Sequence, residues 1–178
     1  MDSYAILTAY GNDRVGLADD ISLKILGYDC SIEESKMAVL GGAFAVVVLV
    51  SGPDDRIEGL VAGAQRFGEE LGMTVSAQRT TGHRQDETGR PYLIESTSLD
   101  TPGIVHAITS LLRERDINVE DLETETARAP FTGAPMFHMR IRAILPQSVR
   151  VQKLKEELED IALERDLDVS ITPIRPVE

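Results

Sequence analysis

The chain is short of several things. Among 178 residues there is one cysteine, no tryptophan, four tyrosines and four phenylalanines. A single thiol, Cys30, excludes an intrachain disulfide framework and a multi-cysteine zinc site, and it suits a reducing cytosol. Three histidines, His83, His106 and His138, are present, and none has a metal-motif spacing such as His-x-x-x-His. Neither a Walker loop nor G-x-G-x-x-G occurs. Basic residues are scarce as well: 18 Lys and Arg face 30 Asp and Glu, a formal charge of −12. That balance argues against direct contact with nucleic acid, which needs a basic face to replace phosphate counterions, and against docking on anionic membranes. The longest apolar run, Ala43 to Val50, is too short to span a bilayer as a helix. The N-terminal residues lack a basic segment ahead of an apolar one and do not read as a signal peptide.

What is present is ordinary for a globular chain: 42% apolar and 27% charged residues. This argues against disorder, and the length allows one domain or two small ones. An internal repeat favours two. Asn12-Asp13-Arg14-Val15-Gly16-Leu17 matches Leu99-Asp100-Thr101-Pro102-Gly103-Ile104 at an offset of 87, and Ser31-Ile32-Glu33-Glu34 matches Asn118-Val119-Glu120-Asp121 at the same offset. Phe44 then pairs with Phe137 at 93, which places about six extra residues within Ala127–Ala134.

Both copies carry the same order of signals. In the first, Tyr4 to Ala9 reads as a strand, Gly11-Asn12-Asp13 as a turn, and Leu17, Ala18, Ile21 and Ile25 as a helix face that stops near Gly27. Ser31 to Val39 and Ala43 to Val50 read as strands around a Gly41-Gly42 hairpin. A helix from Pro53 to about Leu71 ends at Gly72, and Thr74 to Gln78 is a last strand. The second copy repeats this with strands from about Tyr92, Asn118, Met136 and Asp168 and helices from about Gly103 and Ser148. Val151, Leu154, Leu158, Ile161 and Ala162 share one face of the last helix. The expected class is α+β, two tandem ferredoxin-like βαββαβ units over 1–79 and 91–178, with a polar linker at 80–90. The continuous apolarity of Ala43–Val50 predicts burial on both faces of that strand, by the other copy or by another chain. The alternation Phe137, Met139, Ile141, Ala143 against His138, Arg140, Arg142 predicts a polar open face on the second sheet.

The motifs NDRVGL followed by a helix and DCSIEES, and LDTPGI followed by a helix and DINVEDL, resemble those of tandem ACT domains. Copy two keeps the D-x-P-G pattern through Pro102, whereas copy one has Val15. APFTGAPMF and the C-terminal DVSITPI resemble the two-ACT proteins of the glycine cleavage system repressor type. The resemblance implies a regulatory chain rather than an enzyme, with no cofactor or metal. Such a chain binds an amino acid at an interface between ACT units and acts on a protein partner, a transcription activator or a metabolic enzyme. It also suggests glycine as the first ligand to test, a cytoplasmic setting and a dimer. The alternative is an interaction module that has lost small-molecule binding.

The candidate ligand residues are Gly11, Asn12, Asp13, Gly16 and Ser31 in copy one, and Ser98, Leu99, Asp100, Gly103 and Asn118 in copy two. A helix N-terminus offers free N–H groups to a carboxylate, Gly16 and Gly103 allow close approach of backbone, and Asp13 and Asp100 accept from an ammonium group. Asn118 both donates and accepts, while Ser31 is a shorter equivalent. The same Asp residues are also ordinary helix caps, and Asn118 is an ordinary turn residue. For the stripe of His138, Arg140 and Arg142 the two readings are an interaction face or pairing across to Asp121, Glu123 and Glu125, and pairing is favoured. Cys30 reads as a bystander thiol rather than a nucleophile.

Overall fold

The computed structural model describes residues 2–82, 89–99, 101–130 and 132–174. It divides into two compact units, Met1–Arg84 and Gln85–Glu178. The first runs β1 (Ser3–Asn12), α1 (Leu17–Gly27), β2 (Ser31–Leu40), β3 (Ala43–Gly52), α2 (Asp54–Leu71), β4 (Thr74–Thr80). The second runs β5 (Gly89–Leu99), α3 (Ile104–Glu114), β6 (Asn118–Arg128), β7 (Pro135–Pro146), α4 (Val151–Arg165), β8 (Leu167–Pro173). Each is a βαββαβ unit with an antiparallel four-stranded sheet, ordered β2-β3-β1-β4 and β6-β7-β5-β8. The chain therefore has the expected α+β class.

Boundaries moved where strand pairing outlasts the turn signal. Gly11 and Asn12 belong to β1, because they pair with Phe44 and Ala43 of β3. Gly89 and Arg90, read as linker, pair with Pro146 and Leu145. Ser148 precedes α4, whose first turn starts at Val151.

Both cores lie between helices and sheet. In unit one, Ala5, Leu7 and Ala9 of β1 and Phe44, Val46, Val48 and Val50 of β3 pack against Ile21, Ile25, Ile57, Leu60 and Phe67. In unit two, Ile94, Met139, Ile141 and Ala143 meet Ile104, Ile108, Leu112, Leu154 and Leu158. The α4 face read from the sequence is the one that packs: Leu154 and Leu158 are buried, with Val151, Ile161 and Ala162 against the same core.

Within its own unit β3 is buried on the helix side, while Ala45 is exposed and Val47 is 47% exposed on the other face, so the cover expected there, from the other copy or another chain, is not supplied by the unit itself. Two helices cover one face of the sheet, so every second residue of an antiparallel strand points away from them. Uniform apolarity in β3 reflects β-branched strand preference as much as burial. The open face of unit two is polar, as expected. There Arg142, Arg140 and His138 stand opposite Asp121, Glu123 and Glu125 in register.

Candidate functional site

The β1–α1 connection is built the same way as β5–α3. Gly16 and Gly103 are the N-caps, both left-handed, at φ 91° and 96°. An L side chain is strained there, which explains glycine at both positions. Neither helix start has a side-chain cap hydrogen bond. The Asp13 side chain therefore does not cap α1; its backbone N–H instead donates to Gly42 O at 2.9 Å, tying the loop to the hairpin. Arg14 pairs with Asp20 in the first turn. The uncapped N–H groups keep the partial positive charge of each helix start available to an anion.

The candidate residues do not form one cluster within a unit. Ser31 is level with Ser51 and Tyr4. Gly11 lies seven residues further along β1, about 23 Å away at strand rise. Likewise Asn118 is level with Ile144 and Pro91, and Ser98 is seven residues along β5. Gly11, Asn12, Asp13 and Gly16 thus share one end of the first sheet, and Ser31 stands at the other. Ser98, Leu99 and Gly103 share one end of the second, with Asn118 opposite. Asp100 lies outside the described residues, as does His83. No small molecule can touch both ends of one sheet.

At the Ser31 and Asn118 ends each copy has a β-bulge, between Ile32 and Glu34 and between Val119 and Asp121. The bulged residue is a glutamate both times. Ser51 donates to the Glu33 carboxylate, and Arg142 Nε lies 2.9 Å from Glu120. Sequence reasoning missed these glutamates, although their equal offset of 87 was a usable signal.

At the other end of unit two is an open cleft of about 410 Å³ between the end of β5 and the α4–β8 turn. Its walls include Ser98, Leu99, Met136, Leu163, Asp166 and Asp168. Ser98 is 5% exposed, and its Oγ has no hydrogen-bond partner among the described residues. Arg165 stands beside this end, its guanidinium 3.3 Å from where a Cβ on Gly103 would sit. The cleft depends on residues about 65 apart in sequence, so only Ser98 and Leu99 were foreseen.

Outside these ends the structure decides smaller questions. Arg140 pairs with Glu95 at 3.4 Å and Arg142 with Glu120, while His138 Nδ1 is 3.1 Å from Thr97 Oγ1. The stripe is therefore engaged with neighbouring strands, though its nearest partners are not all the carboxylates directly opposite. Burial, reinforced by the nearby Asp29 charge, pushes the Cys30 thiol up from its ordinary pKa, which keeps it protonated and a poor nucleophile. Among the described residues no group of three His, Cys, Asp or Glu side chains could hold a metal ion, and no helix is long and apolar enough to cross a membrane.

Comparison with known proteins agrees with this architecture. ACT-domain models match residues 3–78 and 92–163. Glycine cleavage system transcriptional repressors of Escherichia coli and Shigella flexneri are each 25% identical over 171 residues, covering 96% of this chain and 90% of theirs. The crystal structure of an unknown protein from Galdieria sulphuraria superposes with a TM-score of 0.83 at 28% identity, over 98% of this chain and 100% of that one. Two matched domains in tandem, each with its glycine-capped helix after the first strand, show that the chain belongs to the ACT-domain family, as a tandem ACT protein homologous to the glycine cleavage system transcriptional repressors.

Proposed function

We propose that the chain is an amino-acid-responsive regulator that controls a protein partner, a transcription activator or a metabolic enzyme, and that it does no catalysis of its own. The observation that carries this is the pair of helix starts at Gly16 and Gly103, left-handed and without side-chain caps. Donors arranged in this way suit a carboxylate. Because the Gly11 and Ser31 ends, and the Ser98 and Asn118 ends, are far apart in one sheet, a ligand touching both kinds of residue would sit where the loop end of one ACT unit meets the bulge end of another. Occupancy would then favour one pairing of units over the rest, and the partner would read the pairing.

Two lines support the mode of action. The relatives are repressors by name. Residues 1–87 carry 7 basic and 14 acidic side chains, and residues 88–178 carry 11 and 16, so neither half offers a basic surface in excess. Gene control, if that is the output, would pass through another protein in the cytoplasm. Glycine is the first ligand to test because of the relatives. Calorimetry of the full chain against the twenty amino acids decides: a saturable heat with at least one of them is expected, and silence across the set with folded protein overturns the reading.

A second reading has two observations in its favour. In unit one the Cβ position of Gly11 is already 3.1 Å from the Met73 side chain, and Val15, where copy two has Pro102, is 99% exposed. Unit one would then be an interaction module without a ligand. Partner binding that ignores metabolites after Gly103→Val and in wild type alike would select it for the whole chain.

A further inference from the structure

The open face of the first sheet is chemically unlike its counterpart in the second. Ala45, Val47 and Leu49 alternate with buried residues of β3 and point away from the helices. Register carries this surface onto both neighbours. Leu40 of β2 pairs with Ala43, and Tyr10 and Ile6 of β1 pair with Ala45 and Leu49. Tyr10 is 61% and Leu40 75% exposed. Unit two carries charge at the matching places. Where unit one sets Lys36 against Val47 and Ala38 against Ala45, unit two sets Glu123 against Arg140 and Glu125 against His138. The same fold thus closes with a charged open face, and strand formation does not require an apolar one.

Size and charge select what covers this face. Three strands of 10 residues and one of 7 give, at about 3.4 Å per residue and about 4.8 Å between strands, a face of roughly 600 Å². Two such faces in contact hide roughly 1,200 Å², which reaches the range of specific interfaces. Residues 1–87 carry 7 basic and 14 acidic side chains, so two copies repel over most of this unit. The open face is the exception. Among the described residues its charges are Glu34 and Lys36, opposite in sign and two positions apart on β2, with the bulged Glu33 held by Ser51 at the margin. A two-fold axis across the strands, between the levels of Val47 and Leu49, sets Glu34 opposite the partner's Lys36 and Lys36 opposite the partner's Glu34. A charged open face like that of unit two is a poor cover, because its arginines and carboxylates would lose water against apolar side chains.

We propose that the open face of the first sheet is a homodimer interface, where the first units of two copies stack sheet on sheet. The contact is isologous, so each copy contributes the same patch. Small side chains at Ala38, Ala43 and Ala45 let the sheets approach to the usual spacing of about 10 Å. Val47 and Leu49 lie beside the axis and form the dry centre, and the Glu34–Lys36 pairs fix the direction of stacking. Unit two, with its charged face, stays outside this contact. This inference goes beyond the amino-acid reading above and does not rest on it.

The test is sedimentation equilibrium of the full chain over a concentration series, with no ligand added. Wild type should sediment at twice the chain mass. Val47→Arg should raise the dissociation constant on the order of tenfold or more. It should keep the wild-type circular dichroism, because unit two folds with Arg140 at the matching position. Arg140→Ala, on the charged face of unit two, should leave the dimer intact. The direction of stacking has its own variants. Glu34→Lys alone should weaken the dimer by setting lysine against the partner's Lys36, and Glu34→Lys combined with Lys36→Glu should restore it. This pair also serves if Val47→Arg does not fold. A wild type that stays monomeric at the highest concentration reached overturns the proposal, and so does a dimer that folded Val47→Arg leaves intact. Weakening by Glu34→Lys without recovery in the combined variant overturns the two-fold arrangement.

Discussion

Gly16 and Gly103 have the same backbone and different surroundings, which separates strain from contact. Nothing lies within 4 Å of a Cβ placed on Gly16, whereas one on Gly103 meets Arg165. Gly16→Ala should cost about 1–2 kcal/mol from left-handed strain alone. Gly103→Ala should cost the same and also move Arg165, an effect visible in urea unfolding together with a change in the crystal position of that side chain. Equal stability of both variants and wild type would remove the strain argument. Both glycines were legible as a repeat in the sequence, but their conformation was not. A glycine before a helix is compatible with several caps, and only the fold shows that both helices enter through positive φ. Conversely, Asp13 looked like a cap by spacing and is not one, because the loop spends its backbone N–H on the hairpin.

Between elements, the best-defined polar link is Arg115 at the end of α3 with Glu157 of α4, bonded at 2.9 Å through Nε and 2.5 Å through Nη2. The Arg115 hydrogen bonds hold the Glu157 carboxyl below its ordinary pKa. A carboxylate lowered on folding contributes stability above its unfolded pKa of about 4.3 and loses it as pH falls through the folded value. Wild type should therefore melt above Arg115→Met at about pH 6, and the gap should narrow as the pH falls below the unfolded value. A gap that is constant with pH would assign the difference to packing instead. The Arg140–Glu95 pair is a contrast: both side chains are about half exposed, so Arg140→Ala should change unfolding free energy by less than about 1 kcal/mol. At this scale the sequence was informative where periodicity is long, as in α4, and silent about what covers a uniform run, as in β3. Periodicity reports which residues share a face; it does not report whether anything covers that face.

For the whole molecule, two cores replace one. Each is closed by its own two helices and four strands, so damage should stay local. Leu60→Ala and Ile108→Ala, both at fully buried positions, should each cost about 2–5 kcal/mol. Hydrogen exchange should show the first opening residues 3–80 and the second opening 89–173; global acceleration by either would mean the units unfold as one. The net charge of −12 is likewise shared by both halves. The sequence by itself determined the two-unit plan, the order βαββαβ, the helix faces and the ACT family, because these depend on local pattern and on a repeat that any reader of the chain can align. The tertiary structure alone decided two further matters: Gly11 and Ser31 stand at opposite ends of one sheet, and Ser98 shares a cleft with Asp166 and Asp168. Strand pairing and register bring together residues about 65 apart, and neither composition nor spacing encodes which end of a sheet a residue reaches.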